Sequence, residues 1–194
     1  MASEDQIKWD AKYRAGEYET RTHASAFVAQ HLSPIAGTDK RALDIACGRG
    51  RNSRFLAGLG YQVDALDISP VGLELAKGID PEGIDYQQCD VLEAGLGQRG
   101  PYDVVIMIRF VALNLLNEIG QYLVPGGTLL VENHLQVDDM NGVGGPRSER
   151  FRVAPGELRA NVADELTVTS DFEGLIQDPD GLTMAVAQIL AIKQ

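Results

Sequence analysis

The sequence predicts an α/β fold: a doubly wound, mostly parallel sheet of seven strands whose last strand runs antiparallel. Three observations lead to it. From residue 41 onward, short apolar runs with strand character alternate with helical segments. A glycine-rich turn, Cys47-Gly48-Arg49-Gly50-Arg51-Asn52, joins the first of these runs to the helix that follows. The chain closes with two strand-like segments separated by Asp178-Pro179-Asp180-Gly181, a turn signal too short for a helical crossover.

The elements follow in order. Residues 5–16 read as a short helix carrying Ile7, Trp9 and Tyr13, and residues 23–32 as a second with Ala24, Phe27, Val28, His31 and Leu32 on one face. Pro34 and Gly37 break the chain, and 41–46 is the first strand. A helix over 52–59 stops at Gly60, and 61–66 is the second strand. Ser69 and Pro70 suit the cap and first position of a helix, and Gly78 suits the left-handed residue that ends it. Residues 84–88 and 102–108 give strands three and four, 111–123 a helix ending at Pro125-Gly126-Gly127, and 128–132 strand five. The glycine-rich stretch 136–150 reads as a loop, with a short helix after Pro155. Residues 166–172 and 184–192 are the closing strands. The whole is read as one domain over 1–194, with a helical cap at 1–36, a core at 37–194, and a loop or lid at 136–153.

Composition narrows the function classes. Seventeen Lys and Arg against 28 Asp and Glu leave a net charge of −11, which repels phosphate backbones and anionic membranes. Nucleic acid and membrane are therefore not expected partners. The first ten residues are polar and acidic, unlike a signal peptide. Cys47 and Cys89 form no CxxC pair and no metal-ligand spacing is present, so a reduced, cytoplasmic protein without metal is the simpler reading.

In a doubly wound sheet, ligands bind outside the carboxyl ends of the strands, where strand order reverses. Gly48 and Gly50 let the backbone turn sharply there, and the new helix presents unpaired N–H groups. Asp67, 23 residues after Asp44, ends strand two and can accept both hydroxyls of a ribose. Asp90 ends strand three and can take the amino group of an adenine. On these residues alone NAD, FAD and S-adenosylmethionine stay open. Ser53 at the third position of G-x-G-x-x-G, the two helices before the first strand, and the closing antiparallel pair favour S-adenosylmethionine.

The ordered segments ALDIACGRGRNS, ALDIS, CDVL, YDVVIM and LVPGGTLLVE resemble the motifs of the class I S-adenosylmethionine-dependent methyltransferases, with a Rossmann-like fold. GRNS, the Trp9-Asp10…Tyr13 helix and RFRVAPGEL are similar to the branch containing tellurite-resistance methyltransferases. The resemblance implies S-adenosylmethionine as cofactor, S-adenosylhomocysteine as product, and a role for each matching position. Asp44 would act near the methionine part, and Ala46, Gly48 and Gly50 through their backbones, with Asn52 in the same turn. Asp67 would bind the ribose with Ile68 against the adenine, and Asp90 and Val91 would hold the adenine edge. Ile108 would lie beside the reacting sulfur, and Trp9 and Tyr13 would close over the cofactor. Ala46 stands where many such enzymes carry glycine, and its methyl is tolerated at negative φ.

Arg109, His134 and Arg147 are the candidates for a substrate pocket, and no catalytic side chain is identified. Arg109 follows a buried strand, where a charge is costly unless paired, as with Glu132, or facing a ligand. Arg147, Arg150 and Arg152 follow three glycines, as an anion-binding lid or as a solvated loop. The chain has little beyond the cofactor-binding core, which implies a small-molecule acceptor, with the branch suggesting a thiol or metalloid oxyanion. Two other readings stand beside this one: a non-catalytic cofactor-binding sensor or partner subunit, and a nicotinamide-dependent oxidoreductase.

Overall fold

The computed structural model describes residues 3–37, 39–79 and 83–194. The expected β/α alternation is present. Strands β1 (Arg41–Ile45), β2 (Gln62–Asp67), β3 (Ile84–Gln88), β4 (Tyr102–Ile108) and β5 (Leu123–Leu135) run parallel, and β8 (Thr183–Lys193) pairs antiparallel with β5 and with β7 (Leu166–Gln177). The order is β3-β2-β1-β4-β5-β8-β7. The chain first winds outward from β1 to β3, then returns to the other side of β1 with β4. A crevice therefore opens at the carboxyl ends of β1 and β4.

Helices and loops cover both faces. One apolar layer gathers Leu43, Ile45, Leu66, Met107 and Leu116, and the opposite layer Val28, Leu56, Ala65, Ile106 and Leu130. Burying a Leu or Ile side chain contributes about 1.5–3 kcal/mol, so these two layers hold the sheet and fix the crevice. Helix α4 (Pro70–Lys77) begins as its sequence predicts, with Ser69 Oγ accepting from Gly72 N at 3.0 Å and Pro70 in its first turn. Gly78 ends it in a right-handed conformation, φ −69°, not the left-handed one expected.

Four other expectations are corrected. The helix predicted over 111–123 is two short pieces, α6 (Leu113–Leu116) and a 3-10 turn (Ile119–Tyr122), because Leu123 already pairs with Tyr102 as strand. The Pro125-Gly126-Gly127 break lies inside β5 as an irregularity of register, with Gly126 at φ 79°. The second helix, α2, starts later, at Ala26 (Ala26–His31), because Ser25 N is tied to Asn52 Oδ1 at 2.9 Å. The sheet has eight strands, because Arg152–Val153 form β6, parallel to β5, inside the stretch read as a loop or lid.

Candidate functional site

The carboxyl ends of β1 to β5, helix α1 (Glu4–Arg14) and the segment 146–151 enclose a cavity of about 690 Å³. That volume falls within the range of small-molecule sites. Trp9, Tyr13, Ala46, Gly48, Asn52, Asp67, Ile68, Asp90, Val91, Ile108, Arg109, His134 and Arg147 all line it. Asp44 and Gly50 do not.

The turn from β1 into α3 (Arg51–Gly58) is built for close approach. Ala46, Gly48 and Gly50 have φ of 58°, 58° and 72°. Ala46 thus adopts the left-handed conformation, not the negative φ under which its methyl is tolerated without cost. The N-cap residue of α3, Gly50, offers no side-chain cap, and of the first-turn N–H groups that of Ser53 is bound by the Asp44 carboxylate. Gly50 is glycine for packing as well as for φ: a β-carbon there would lie 2.4 Å from the Tyr86 hydroxyl on β3. Gly48 faces Tyr13, whose hydroxyl would sit 2.6 Å from an added β-carbon.

Two carboxylates stand behind and beside this turn. Asp44 is buried and accepts from Ser53 Oγ at 2.6 Å. Burial pushes its pKa up to about 7, against the Ser53 hydrogen bond and the nearby Arg51 charge. Asp44 therefore ties the turn to α3. Asp67 accepts from Gly48 N through Oδ2 and from Ser69 N through Oδ1, both at 2.8 Å. Burial raises it to about 6, opposed by these two N–H groups. A carboxylate oxygen has a second lone pair, so Asp67 retains acceptor capacity toward the cavity. Asp90 caps the short helix α5 (Val91–Ala94), accepting from Leu92 N at 3.2 Å, while also lining the cavity.

At the β4 and β5 end the lining turns basic. Arg109, at φ 63°, donates from Nε to Glu132 Oε1 at 2.5 Å and lies 3.5 Å from Asp178. Its two terminal nitrogens are buried without a hydrogen-bond partner. Arg51 donates to the His23 carbonyl at 3.2 Å, and Arg21 pairs with Asp180 at 2.7 Å. Glu132, Asp178 and Asp180 lie behind these arginines and do not line the cavity. His134 is 7% exposed and its Nδ1 has no partner. Burial, with Arg109, Arg152 and Arg21 nearby, lowers it to about 3, so it is neutral.

The arginines of the predicted lid part company. Arg152 is buried and donates to the carbonyls of Leu135, Pro146 and Gly144 at 2.6, 2.8 and 3.2 Å, which makes it a structural clamp. Arg147 is exposed, donates to the Met140 carbonyl at 3.2 Å and lines the cavity. Arg150 pairs with Asp5, and Lys8 stands 4.5 Å from the centre of the Phe151 ring, so this segment rests on α1. Cys47 is buried with its thiol pushed well up by burial and by Asp44 and Asp67, the opposite of an activated nucleophile. Among the described residues no group of three or more His, Cys, Asp or Glu is placed to hold a metal ion, and no helix is long and apolar enough to cross a membrane.

Sequence reasoning left out Asp10, Tyr18 and Arg51. Tyr18 joins Trp9 and Tyr13 in an aromatic cluster with ring centroids 5.9–6.5 Å apart. Tyr18 lies beyond the helical period that pointed to the other two. Asp10, named above only as part of the helix motif, sits between them in sequence and is buried although acidic.

Residues 42–127 match the family model described as a methyltransferase domain. The ubiquinone biosynthesis O-methyltransferase of Xanthomonas campestris pv. campestris is 31% identical over 105 residues, covering 50% of this chain and 44% of that one. The chain thus spans less than half the length of this relative. Among solved structures, TehB from Haemophilus influenzae superposes with a TM-score of 0.71 at 23% identity, over 94% of this chain and 66% of its own. An S-adenosylmethionine-dependent methyltransferase from Mesorhizobium loti gives 0.63 at 20%, over 86% and 95%. Likenesses at this identity speak for the fold, and the family match speaks for the motifs carried by β1 to β5. Residues 42–127 thus carry a methyltransferase-domain match, and the chain shares its fold with TehB and with a solved S-adenosylmethionine-dependent methyltransferase.

Proposed function

We propose that this chain transfers a methyl group from S-adenosylmethionine to a small-molecule acceptor. One observation carries the reading: a single cavity is acidic at the β2 and β3 end, through Asp67 and Asp90, and basic at the β4 and β5 end. The acidic end suits a nucleoside with free hydroxyl and amino groups. Asp67 would take the ribose, Asp90 and Val91 the adenine edge, and Trp9, Tyr13 and Ile68 its faces. The cofactor supplies an electrophilic methyl: the acceptor's lone pair forms the new bond while the carbon–sulfur pair returns to sulfur.

The acceptor reading is a thiol or a metalloid oxyanion. The far end is lined by Arg51, Arg109, Arg147 and neutral His134, and Asp5, at its α1 rim, is held by Arg150. His134, lowered to about 3, is a weak base, whereas an un-ionised hydroxyl or amine needs a base near neutrality. A nucleophile that arrives ionised, or with an exposed soft lone pair, needs only alignment and exclusion of water, which can lower a barrier by up to ~7–11 kcal/mol. The ubiquinone biosynthesis relative is named for an oxygen acceptor, and that name keeps phenols in the screen.

Calorimetry with S-adenosylmethionine, S-adenosylhomocysteine and NAD tests the cofactor. Turnover on thiols, selenite, tellurite and catechols then tests the acceptor. Cofactor binding without turnover on any acceptor would favour a sensor or partner subunit. Preference for NAD would overturn the reading.

A further inference from the structure

Helix α1 walls the cavity, yet only two of its residues are buried, Asp10 and Tyr13. One of the two residues it buries is thus an acid. A buried carboxylate is costly unless it is hydrogen-bonded. Asp10 meets that requirement by accepting from Ser69 Oγ at 2.5 Å, with Arg14 at 3.9 Å on its outer side.

Ser69 in turn reaches the cofactor carboxylate. Its backbone N donates to Asp67 Oδ1 at 2.8 Å, while its hydroxyl oxygen also accepts from Gly72 N at 3.0 Å. The same hydroxyl therefore caps α4 and holds α1. The Tyr13 side chain completes the attachment in a slot between two glycines: added β-carbons would come within 2.6 Å of its hydroxyl at Gly48 and 2.8 Å of its ring at Gly72. Gly48 N donates to the other Asp67 oxygen. Two of the N–H groups that orient Asp67, those of Gly48 and Ser69, thus belong to residues on which α1 is seated, and the Ile68 N–H is the third.

We propose that Asp10 is a positioning residue: through Ser69 it holds α1 over the cavity and fixes the rotamer of Asp67, so cofactor affinity depends on the Asp10–Ser69 hydrogen bond. The inference rests on the reading of this cavity as the S-adenosylmethionine site. Seating of α1 and binding of cofactor then favour each other, as two events that draw on the same contacts must.

The test is calorimetry with S-adenosylhomocysteine on the wild type, Asp10→Ala, Asp10→Asn, Ser69→Ala and the Asp10→Ala/Ser69→Ala double variant, with hydrogen exchange followed over residues 4–14. Asp10→Ala weakens binding at least ~10-fold (1.4 kcal/mol). Asp10→Asn, whose amide oxygen still accepts from Ser69, restores binding to within about threefold, on the scale where 1.4 kcal/mol is tenfold. The double variant binds no worse than the weaker single one, because both changes remove one interaction. S-adenosylhomocysteine slows exchange over 4–14 in the wild type and not in Asp10→Ala. Ser69→Ala carries the test if Asp10→Ala does not fold. Wild-type affinity in Asp10→Ala, or equal losses in Asp10→Ala and Asp10→Asn, overturns the proposal. Failure of the wild type to bind S-adenosylhomocysteine would instead overturn the reading of the cavity.

Discussion

Arg109 and Glu132 are joined twice: Arg109 Nε donates to Glu132 Oε1 at 2.5 Å, and Arg109 N donates to the Glu132 carbonyl at 2.6 Å. Glu132 is fully buried, and its second oxygen accepts from Gln188 Nε2 at 2.7 Å. The pair bridges the end of β4 to β5 and, through Gln188, to the antiparallel β8. Removing one partner of such a pair leaves an uncompensated buried charge, typically costing about 3–5 kcal/mol. Arg109→Ala is therefore expected to lower unfolding free energy by that order in urea titrations. A loss under about 1 kcal/mol would mean that Glu132 finds another partner or a proton.

Ala46 makes the opposite expectation. Alanine replaced by glycine ordinarily loses about 0.4–1 kcal/mol through the freer unfolded chain. At φ 58° the alanine itself carries about 1–2 kcal/mol of left-handed strain. Ala46→Gly should therefore leave stability unchanged or raise it by up to about 1.6 kcal/mol, the difference of the two ranges. Thermal melting checks this, and a fall in Tm of several degrees would show that the methyl packs better than its backbone geometry implies.

Arg152 shows where reading a loop from glycine content falls short. Its guanidinium gathers the carbonyls of Leu135, Gly144 and Pro146, fixing a stretch whose three glycines suggested freedom. Arg152→Ala should strip that stretch of its clamp. Hydrogen exchange over residues 144–153 is expected to accelerate by at least an order of magnitude, with little change in β1 to β4. Uniform acceleration across the sheet would instead make Arg152 part of the global core.

The strands that carry the site were legible because their signals are local. The apolar runs 41–46, 61–66, 84–88 and 102–108 each correspond to a strand within about one residue, and Ser69-Pro70 does start α4. Asp67, Asp90 and the glycine turn follow from the same alternation, since strand ends position them. What escaped is set by contacts distant in sequence. The 111–123 segment has helical spacing, but pairing of Leu123 with Tyr102 draws its end into the sheet. The positive φ of Ala46 has no signal in an alanine. Asp10 is buried only because Ser69, 59 residues away, offers it a hydroxyl.

The two raised carboxylates favour folding as pH falls, and Asp67, if it is the ribose acceptor, gives cofactor binding the opposite response. Asp44, about 7, and Asp67, about 6, have folded pKa values well above the ordinary carboxylate range, so the native state takes up protons that the unfolded chain does not. Their effect is to favour folding increasingly as pH falls from about 8 toward 4. His134 works against them: lowered from 6.5 to about 3, it disfavours folding as pH drops through that window. Asp44→Asn isolates one contribution, because its amide oxygen can still accept from Ser53. The variant should gain most over the wild type near pH 8, and the gain should vanish near pH 4. Binding follows the other sign. If Asp67 holds the ribose as an ionised acceptor, affinity for S-adenosylhomocysteine falls as pH drops below about 6, while the protein stays folded. Affinity that is flat from pH 8 to 5 would remove Asp67 from the ribose site.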